Sequence, residues 1–439
     1  MFTCCLVITQ SAIIGPHLMK KVLFIEFRYS SERHFIHGFR AGAIRSGWKP
    51  AFVWLCDEKE EKKSSEQVAR EIEEEAPDLI MWVSDCVLPF AECLEGRSIR
   101  NIPKVSLWFD DYMRTFALPL CPERHQRLVQ ECALKTYVWD GFWRKKFQER
   151  FNIFSYPIHL GADEIECFPS EPTHFKGFED SLIFVGNTPS FDSIKKEASI
   201  MPLPCLQIIL LTQKIIARSP YGRLPYDAYD EAFQSLSAKG KTAVTHFRRD
   251  IAQNILINRL VWMLGKREVR IRILRLAAQQ RQVVILSGHS DKFFADAAEF
   301  GRDIGQSRHP LKFINTAHVK LEELGCLYHI GGLHLQATDP QSVEGGIPFR
   351  VFETSASGRP LLSDFKPELG DCFQSDREML YYQNDQDFSD KLQEALKNPT
   401  RLKEIGEAAH QRFLKEHTWT HRFRHVVEMA SIPHREQTE

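Results

Sequence analysis

From Met19 onward the chain alternates short, uniformly apolar runs with stretches of helical periodicity, and that rhythm limits the fold more than any other feature. Val22–Ile25, Phe52–Leu55, Leu79–Val83 and Val105–Phe109 are runs of strand formers, with weaker candidates at Val138–Trp139 and Ile153–Tyr156. Phe35–Ile44 and Ser65–Glu75 between them carry apolar residues at helical spacing. A strand that is apolar on every residue is buried on both faces, so the pattern predicts a parallel sheet covered by helices on each side. The first 18 residues fall outside the rhythm. Phe2–Ile14 is apolar, but no Lys or Arg precedes it as a secretory signal requires. Residues 1–18 are therefore expected to be a leader or an over-extended start, with Met19-Lys20-Lys21 the natural opening of the first strand.

Around Cys167–Asp180 the periodicity lapses among prolines, Gly177 and charges, which marks an interdomain linker at 169–180. A second series of strand candidates follows: Leu182–Val185, Val283–Leu286, Leu311–Ile314, Leu333–Leu335 and Pro360–Leu362. Two amphipathic helices then close the pattern, one from Asp387 with Phe388, Leu392 and Leu396, the other with Leu402, Ile405, Ala409 and Phe413. The expected architecture is two doubly wound α/β domains, 19–168 and 181–415, facing a cleft, with a helix and tail over 416–439. At 439 residues the chain has the length for it.

Composition narrows the class. Lys and Arg number 57 against 58 Asp and Glu, so no global charge draws the chain to nucleic acid or anionic lipid. No run approaches the roughly 18 apolar residues of a membrane span. The eleven cysteines are odd in number, scattered, and nowhere spaced C-x-x-C, which fits reduced thiols in a cytoplasmic protein.

One segment breaks the rhythm. Residues 188–281 separate two strand candidates by about three times the roughly 30 residues of a simple crossover, and read as a helical insertion. Its second half, Phe247–Gln280, is strongly helical, and Lys266, Arg267, Arg270, Arg272 and Arg275, with Arg281 just after it, make its end basic. This basic end has two readings: a docking surface for a membrane or protein partner over 266–281, or a solvated helix face.

The segment richest in chemistry is Glu344–Gly358. Gly345 and Gly346 form a flexible turn, Pro348 suits a helix start, and Arg350, Glu353 and Ser357 then share one helical face. A Gly-rich turn opening a helix offers free N–H groups and the positive end of the dipole to a phosphate. Arg350 adds a guanidinium suited to a diphosphate, and Glu353 can accept hydrogen bonds from a ribose diol. The competing reading has Arg350 and Glu353 paired only with each other. Asp385-Gln-Asp387 fits a metal-binding D-x-D, but its place before a helix favours capping. His34 and His37 have helical spacing for a metal pair with no third ligand suggested. There is no P-loop and no G-x-G-x-x-G.

In order, these motifs resemble the GT-B glycosyltransferases, in particular the group-1-like branch that includes the spore maturation protein CgeB. That branch reads R-x-F-E-x-x-A-x-G and then an apolar strand ending in Ser/Thr-Asp, matched by Arg350, Phe352, Glu353, Ala356, Gly358, Ser363 and Asp364. Phe184-Val185-Gly186 is similar to the strand opening the donor domain, and His159–Asp163 with Phe168-Pro169 to the segment closing the acceptor domain. Trp108–Asp111 resembles an aspartate-bearing strand end, and Glu416–Trp419 the closing signature. The resemblance implies two Rossmann-like domains and sugar transfer from a nucleotide-diphosphate donor to an unidentified acceptor, commonly with no bound metal and no further cofactor. It implies Glu353 on the donor ribose, Arg350 near the diphosphate, and close backbone approach at Gly186 and Asn187. Many retaining relatives have a second glutamate eight positions before the first; here that position is Gly345. An inverting mechanism needs a base on the acceptor hydroxyl, for which Asp110, Asp111 and His37 are the candidates. Two alternatives remain: a catalytically silent scaffold docking a partner through its insertion, and a sugar-nucleotide epimerase.

Overall fold

The structure, a computed structural model, describes residues 19–27, 33–57, 59–84, 87–109, 121–163, 177–219, 221, 223–288, 294–316 and 327–431. The leader, most of the expected linker, and Asp110 and Asp111 lie outside them.

The first domain is built on β1 (Lys21–Glu26), β2 (Lys49–Trp54), β3 (Leu79–Val83), β4 (Lys104–Trp108), β5 (Leu134–Val138) and β6 (Ser155–Pro157). They form one sheet in the order β2-β1-β3-β4-β5-β6 with every pairing parallel. Helices α1 (Arg33–Arg45), α2 (Ser65–Glu75), α3 (Cys121–Glu131) and α4 (Gly141–Phe151) connect the strands. The sequence starts α2 through a reciprocal capping box between Ser64 and Gln67. β5 begins four residues before the expected Val138, because Lys135 interrupts its apolar run. The strand is buried nonetheless: the Lys135 stem lies inside and its ammonium donates to the Met429 carbonyl. Lys104 opens β4 in the same way, fully buried, with Nζ donating to the carbonyls of Ile99, Arg100, Ile102 and Cys132.

The second sheet comprises β7 (Leu182–Val185), β8 (Val283–Ser287), β9 (Leu311–Asn315), β10 (Leu333–Gln336), β11 (Leu361–Asp364) and β12 (Leu380–Tyr382), also all parallel. Its order is β12-β11-β10-β7-β8-β9. Counted within the domain this is the doubly wound order 3-2-1-4-5-6, whose direction reverses between β7 and β10. Ligands of such sheets bind beyond the carboxyl ends of the strands at that reversal. The three-residue edge strand β12 is too short to stand out in the sequence.

Between β7 and β8 the insertion forms α5 (Phe191–Ala198), α6 (Leu203–Ile216), α7 (Pro225–Gln234), α8 (Ala238–Phe247) and the long α9 (Ile251–Ala277). It has its own apolar core around Cys205, Ile208, Ala232, Val244 and Leu260. The C-terminal half of α9 leaves that core for the sheet core, through Ile271, Ile273, Leu274 and Ala277. Serving two cores on different sides, α9 has no single apolar stripe.

The remaining helices are α10 (Ala297–Ile304), α11 (Phe349–Ala356), α12 (Pro367–Cys372), α13 (Asp385–Lys397), α14 (Pro399–Glu416) and α15 (Trp419–Ala430). Asp385 and Asp387 lie in the first turn of α13, where Asn384 is the cap. α15 crosses back and packs on α1 of the first domain. One apolar core spans the two domains, joining Phe24, Phe39 and Tyr137 to Val351, Phe352, Tyr381, Trp419 and Phe423. No helix among the described residues is long and apolar enough to cross a membrane.

Candidate active site

The reversal between β7 and β10 brings Gly186, directly after β7, to Arg350 in the first turn of α11. A Cβ on Gly186, whose φ is 155°, would lie 3.0 Å from the Arg350 guanidinium carbon. The glycine thus allows the guanidinium to lie flat against the backbone. Asn187, next in line, fixes this turn: its Oδ1 accepts from Ser287 Oγ at 3.0 Å, and its carbonyl accepts from Arg270. No side chain caps α11, so the N–H groups of Phe349 and Arg350 remain for solvent or a ligand, while that of Val351 donates to the Pro348 carbonyl. Among the described residues Arg350 makes no hydrogen bond or ion pair, so it is not closed off by Glu353 one turn later. Glu353 is half-buried on the same helix.

Two more cations enter from α9. Lys266 approaches Asp339, just past β10, at 3.3 Å, and Asp339 also accepts from Trp262 Nε1 at 2.8 Å. Arg270, one turn on, is 3% exposed, and its Nε finds no partner. Burial pushes the Lys266 ammonium down to about 8, against the pull of Asp339 and with the push of Arg270 and Arg350. Burial and then the Arg350 charge hold Arg270 down at about 9. Three cations thus feel one another around one carboxylate, with Asp364 acting on Arg270 from farther off. That surplus of positive charge can attract a multivalent anion.

This corrects the reading of the basic end over 266–281 for four of its six residues. Lys266 and Arg270 turn inward to the crevice. Arg267 is 3% exposed and paired with Asp303 and Glu299, and Arg272 holds Asp385 at 2.6 Å. Lys266, Arg267, Arg270 and Arg272 are thus not a solvated face, whereas Arg275 is exposed and Arg281 half-exposed. The overlooked signal was the i, i+4 spacing of Lys266 and Arg270, which places them on one face of α9.

Gly345 and Gly346 are also corrected. Their N–H groups, at 3.0 and 2.9 Å, donate to Asp140 Oδ2 of the first domain and are not free for a phosphate. A Cβ on Gly345 would lie 1.9 Å from a Glu368 carboxylate oxygen, and one on Gly346 would lie 2.8 Å from the Trp139 ring. The glycines let this turn press against the β5–α4 junction.

Of the proposed bases, His37 is half-buried in α1, two residues after Phe35. Phe35 stacks on Phe109 at 4.6 Å and meets Phe349 of α11 at 4.9 Å, so α1 reaches the cleft beside the anion site. Asp110 and Asp111 follow Phe109 in sequence but lie outside the described residues.

The closing signature ties the domains together. Arg422 donates to the Leu160 carbonyl at 2.8 Å and to His417 Nδ1 at 2.8 Å, while the Trp419 N–H meets the Ala162 carbonyl at 3.2 Å. Burial holds His417 down near 3, so it accepts as the neutral ring.

Residues 268–428 match a family model described as glycosyl transferase-like. No curated protein matches the sequence. Among solved structures, a glycosyltransferase from Rickettsia africae superposes with TM-score 0.54 at 10% identity, over 94% of this chain and 98% of that one. HepE of Anabaena in complex with UDP superposes with TM-score 0.56 at 9% identity, over 94% and 99%. Sucrose-phosphate synthase from Thermosynechococcus elongatus gives TM-score 0.54 at 9% identity, over 93% and 98%. At such identities the likeness is one of fold, and the match over 268–428 covers the segment that holds Arg270, Arg350 and Glu353. The fold is thus that of the GT-B glycosyltransferases, and residues 268–428 are similar to the glycosyl transferase-like family.

Proposed function

We propose that the protein transfers a sugar from a nucleotide-diphosphate donor to an acceptor hydroxyl, as a member of the CgeB-like branch. The observation that carries this reading is the gathering of three cations at the reversal of the second sheet: Arg350 against Gly186, Arg270 on the Asn187 carbonyl, and Lys266 beside Asp339. A diphosphate fits their charge, and Glu353, one turn beyond Arg350, is proposed to accept from the ribose diol. The structures of HepE hold UDP and UDP-glucose, which makes a uridine nucleotide the first donor to test. In the reaction the anomeric carbon–oxygen bond to the diphosphate breaks and a bond to the acceptor oxygen forms. The acceptor proton passes to a first-domain base, for which His37, Asp110 and Asp111 are proposed. The departing nucleoside diphosphate keeps the electron pair, and the three cations stabilise that charge. Cys56, Cys93, Cys132, Cys205 and Cys372 are free thiols, in keeping with a cytoplasmic setting.

Calorimetry against UDP, GDP, ADP and TDP tests the reading. One of them is expected to bind, and Arg350→Ala to weaken it about 10- to 100-fold, the loss of a charge-assisted contact. Binding of none by the wild-type protein would favour a silent scaffold. Donor turnover with no acceptor present would favour an epimerase.

A further inference from the structure

The carboxylate of Asp140 is fully buried and accepts six backbone N–H groups from two domains. Its Oδ1 caps α4 of the first domain through Phe142 at 2.9 Å and Trp143 at 3.4 Å. Its Oδ2 takes the N–H groups of Val343, Glu344, Gly345 and Gly346 in the second domain, at 2.8, 3.1, 3.0 and 2.9 Å. Four successive amides around one oxygen form an anion nest, here filled by a side chain of the other domain.

Around this contact the same two segments meet repeatedly. Trp143 Nε1 donates to the Gln341 carbonyl at 2.6 Å, Arg144 pairs with Glu368 at 2.7 Å, and Lys145 pairs with Glu344 at 2.7 Å. The Glu368 N–H in turn bonds the Glu344 carbonyl at 3.0 Å. The nest runs through Ile347 and Pro348 into α11, so whatever fixes 343–346 also fixes where Arg350 begins its helix.

We infer that Asp140 is a positioning residue of the donor site, a first-domain carboxylate that holds the second domain's 343–346 turn and so aims the start of α11 into the crevice. It touches no donor atom itself. The inference rests on the function proposed above for the ligand that α11 would meet. Because the 343–346 amides are taken up by Asp140, the diphosphate is left to side chains and to the first N–H groups of α11.

Asp140→Ser separates the two roles, because serine is as good a helix cap as aspartate but too short to span both segments. Asp140→Asn keeps the shape and turns an NH2 group against one set of amides. Amide hydrogen exchange at 343–346 is expected to accelerate on the order of tenfold or more in both variants, with α4 still protected in Asp140→Ser. Under the proposed function, kcat/KM for the donor is expected to fall about tenfold or more, mostly in kcat, with nucleoside-diphosphate affinity within about twofold of wild type. Unchanged exchange at 343–346 would overturn the clasp. Faster exchange with unchanged turnover, or equal loss of turnover and nucleotide affinity, would overturn the positioning role. Absence of nucleoside-diphosphate binding to the wild-type protein would instead overturn the proposed function, while the exchange result still decides the clasp.

Discussion

Lys266 shows how burial converts a common surface residue into a titrating part of a site. Its ammonium is brought down to about 8 first by loss of solvent, with Arg270 and Arg350 adding to the effect and Asp339 opposing it. Below that pH the group is charged and attracts an anion. Above it the group is neutral, and binding must first take up a proton. Affinity for a nucleoside diphosphate is therefore expected to hold up to about pH 8 and then fall by as much as about tenfold per pH unit. Lys266→Arg should flatten the profile, because arginine keeps its charge throughout. Isothermal titration between pH 7 and 10 checks both, and an identical slope in wild type and variant would remove Lys266 from the site. The residue scale is also where the sequence was hardest to read. Arg350 and Glu353 stood out because glycines and a proline frame them. Asp140 did not, since an aspartate before a helix looks like a cap and its second set of partners lies some two hundred residues away.

At the scale of elements, close helix crossings depend on missing side chains. α1 meets α15 through Gly38 and Gly42, one turn apart. A Cβ on Gly38 would lie 2.1 Å from the Trp419 ring, and one on Gly42 2.4 Å from the Trp419 carbonyl oxygen. A ring can shift, but backbone can move only if the whole of α15 moves. Gly42→Ala is thus expected to destabilise by about 1–3 kcal/mol through overpacking. Gly301→Ala in α10 makes the opposite case: a Cβ there meets nothing within 4 Å, and the change should stabilise by about 0.4–1 kcal/mol. Denaturant unfolding of the two variants reads both signs. Strands were legible for the same local reason that these contacts were not. An apolar run such as Leu79–Val83 declares burial on its own. β5 hid behind Lys135, whose partner carbonyl belongs to Met429 in α15, and α9 looked like a basic surface helix because the acids that neutralise Arg267 and Arg272 come from α10 and α13.

For the whole molecule, the apolar core shared by the two domains predicts that they unfold as one. Trp419 stands at the junction: 4% exposed, it lies 5.2 Å from Phe39 of the first domain and 5.9 Å from Phe349 of the second. Phe349 in turn meets Phe35, so an aromatic chain runs from α15 through the start of α11 to α1. On the far side of the same interface Asp140 grips the 343–346 turn. Two fastenings on either side of α11 hold the anion site between them, so a loss at one should loosen the site without dissolving either sheet. Trp419→Ala empties a large volume that packed helices cannot fill, and is expected to cost about 3–5 kcal/mol. The cost falls on the junction and not on either sheet, so calorimetric unfolding should change from one transition to two. Saturating nucleoside diphosphate, bound only by the second domain, should then raise one transition and leave the other in place, by about 2.7 kcal/mol at a hundredfold excess over Kd. A single transition that moves as a whole would show that the domains remain coupled without Trp419, and would put the coupling on the Asp140 side.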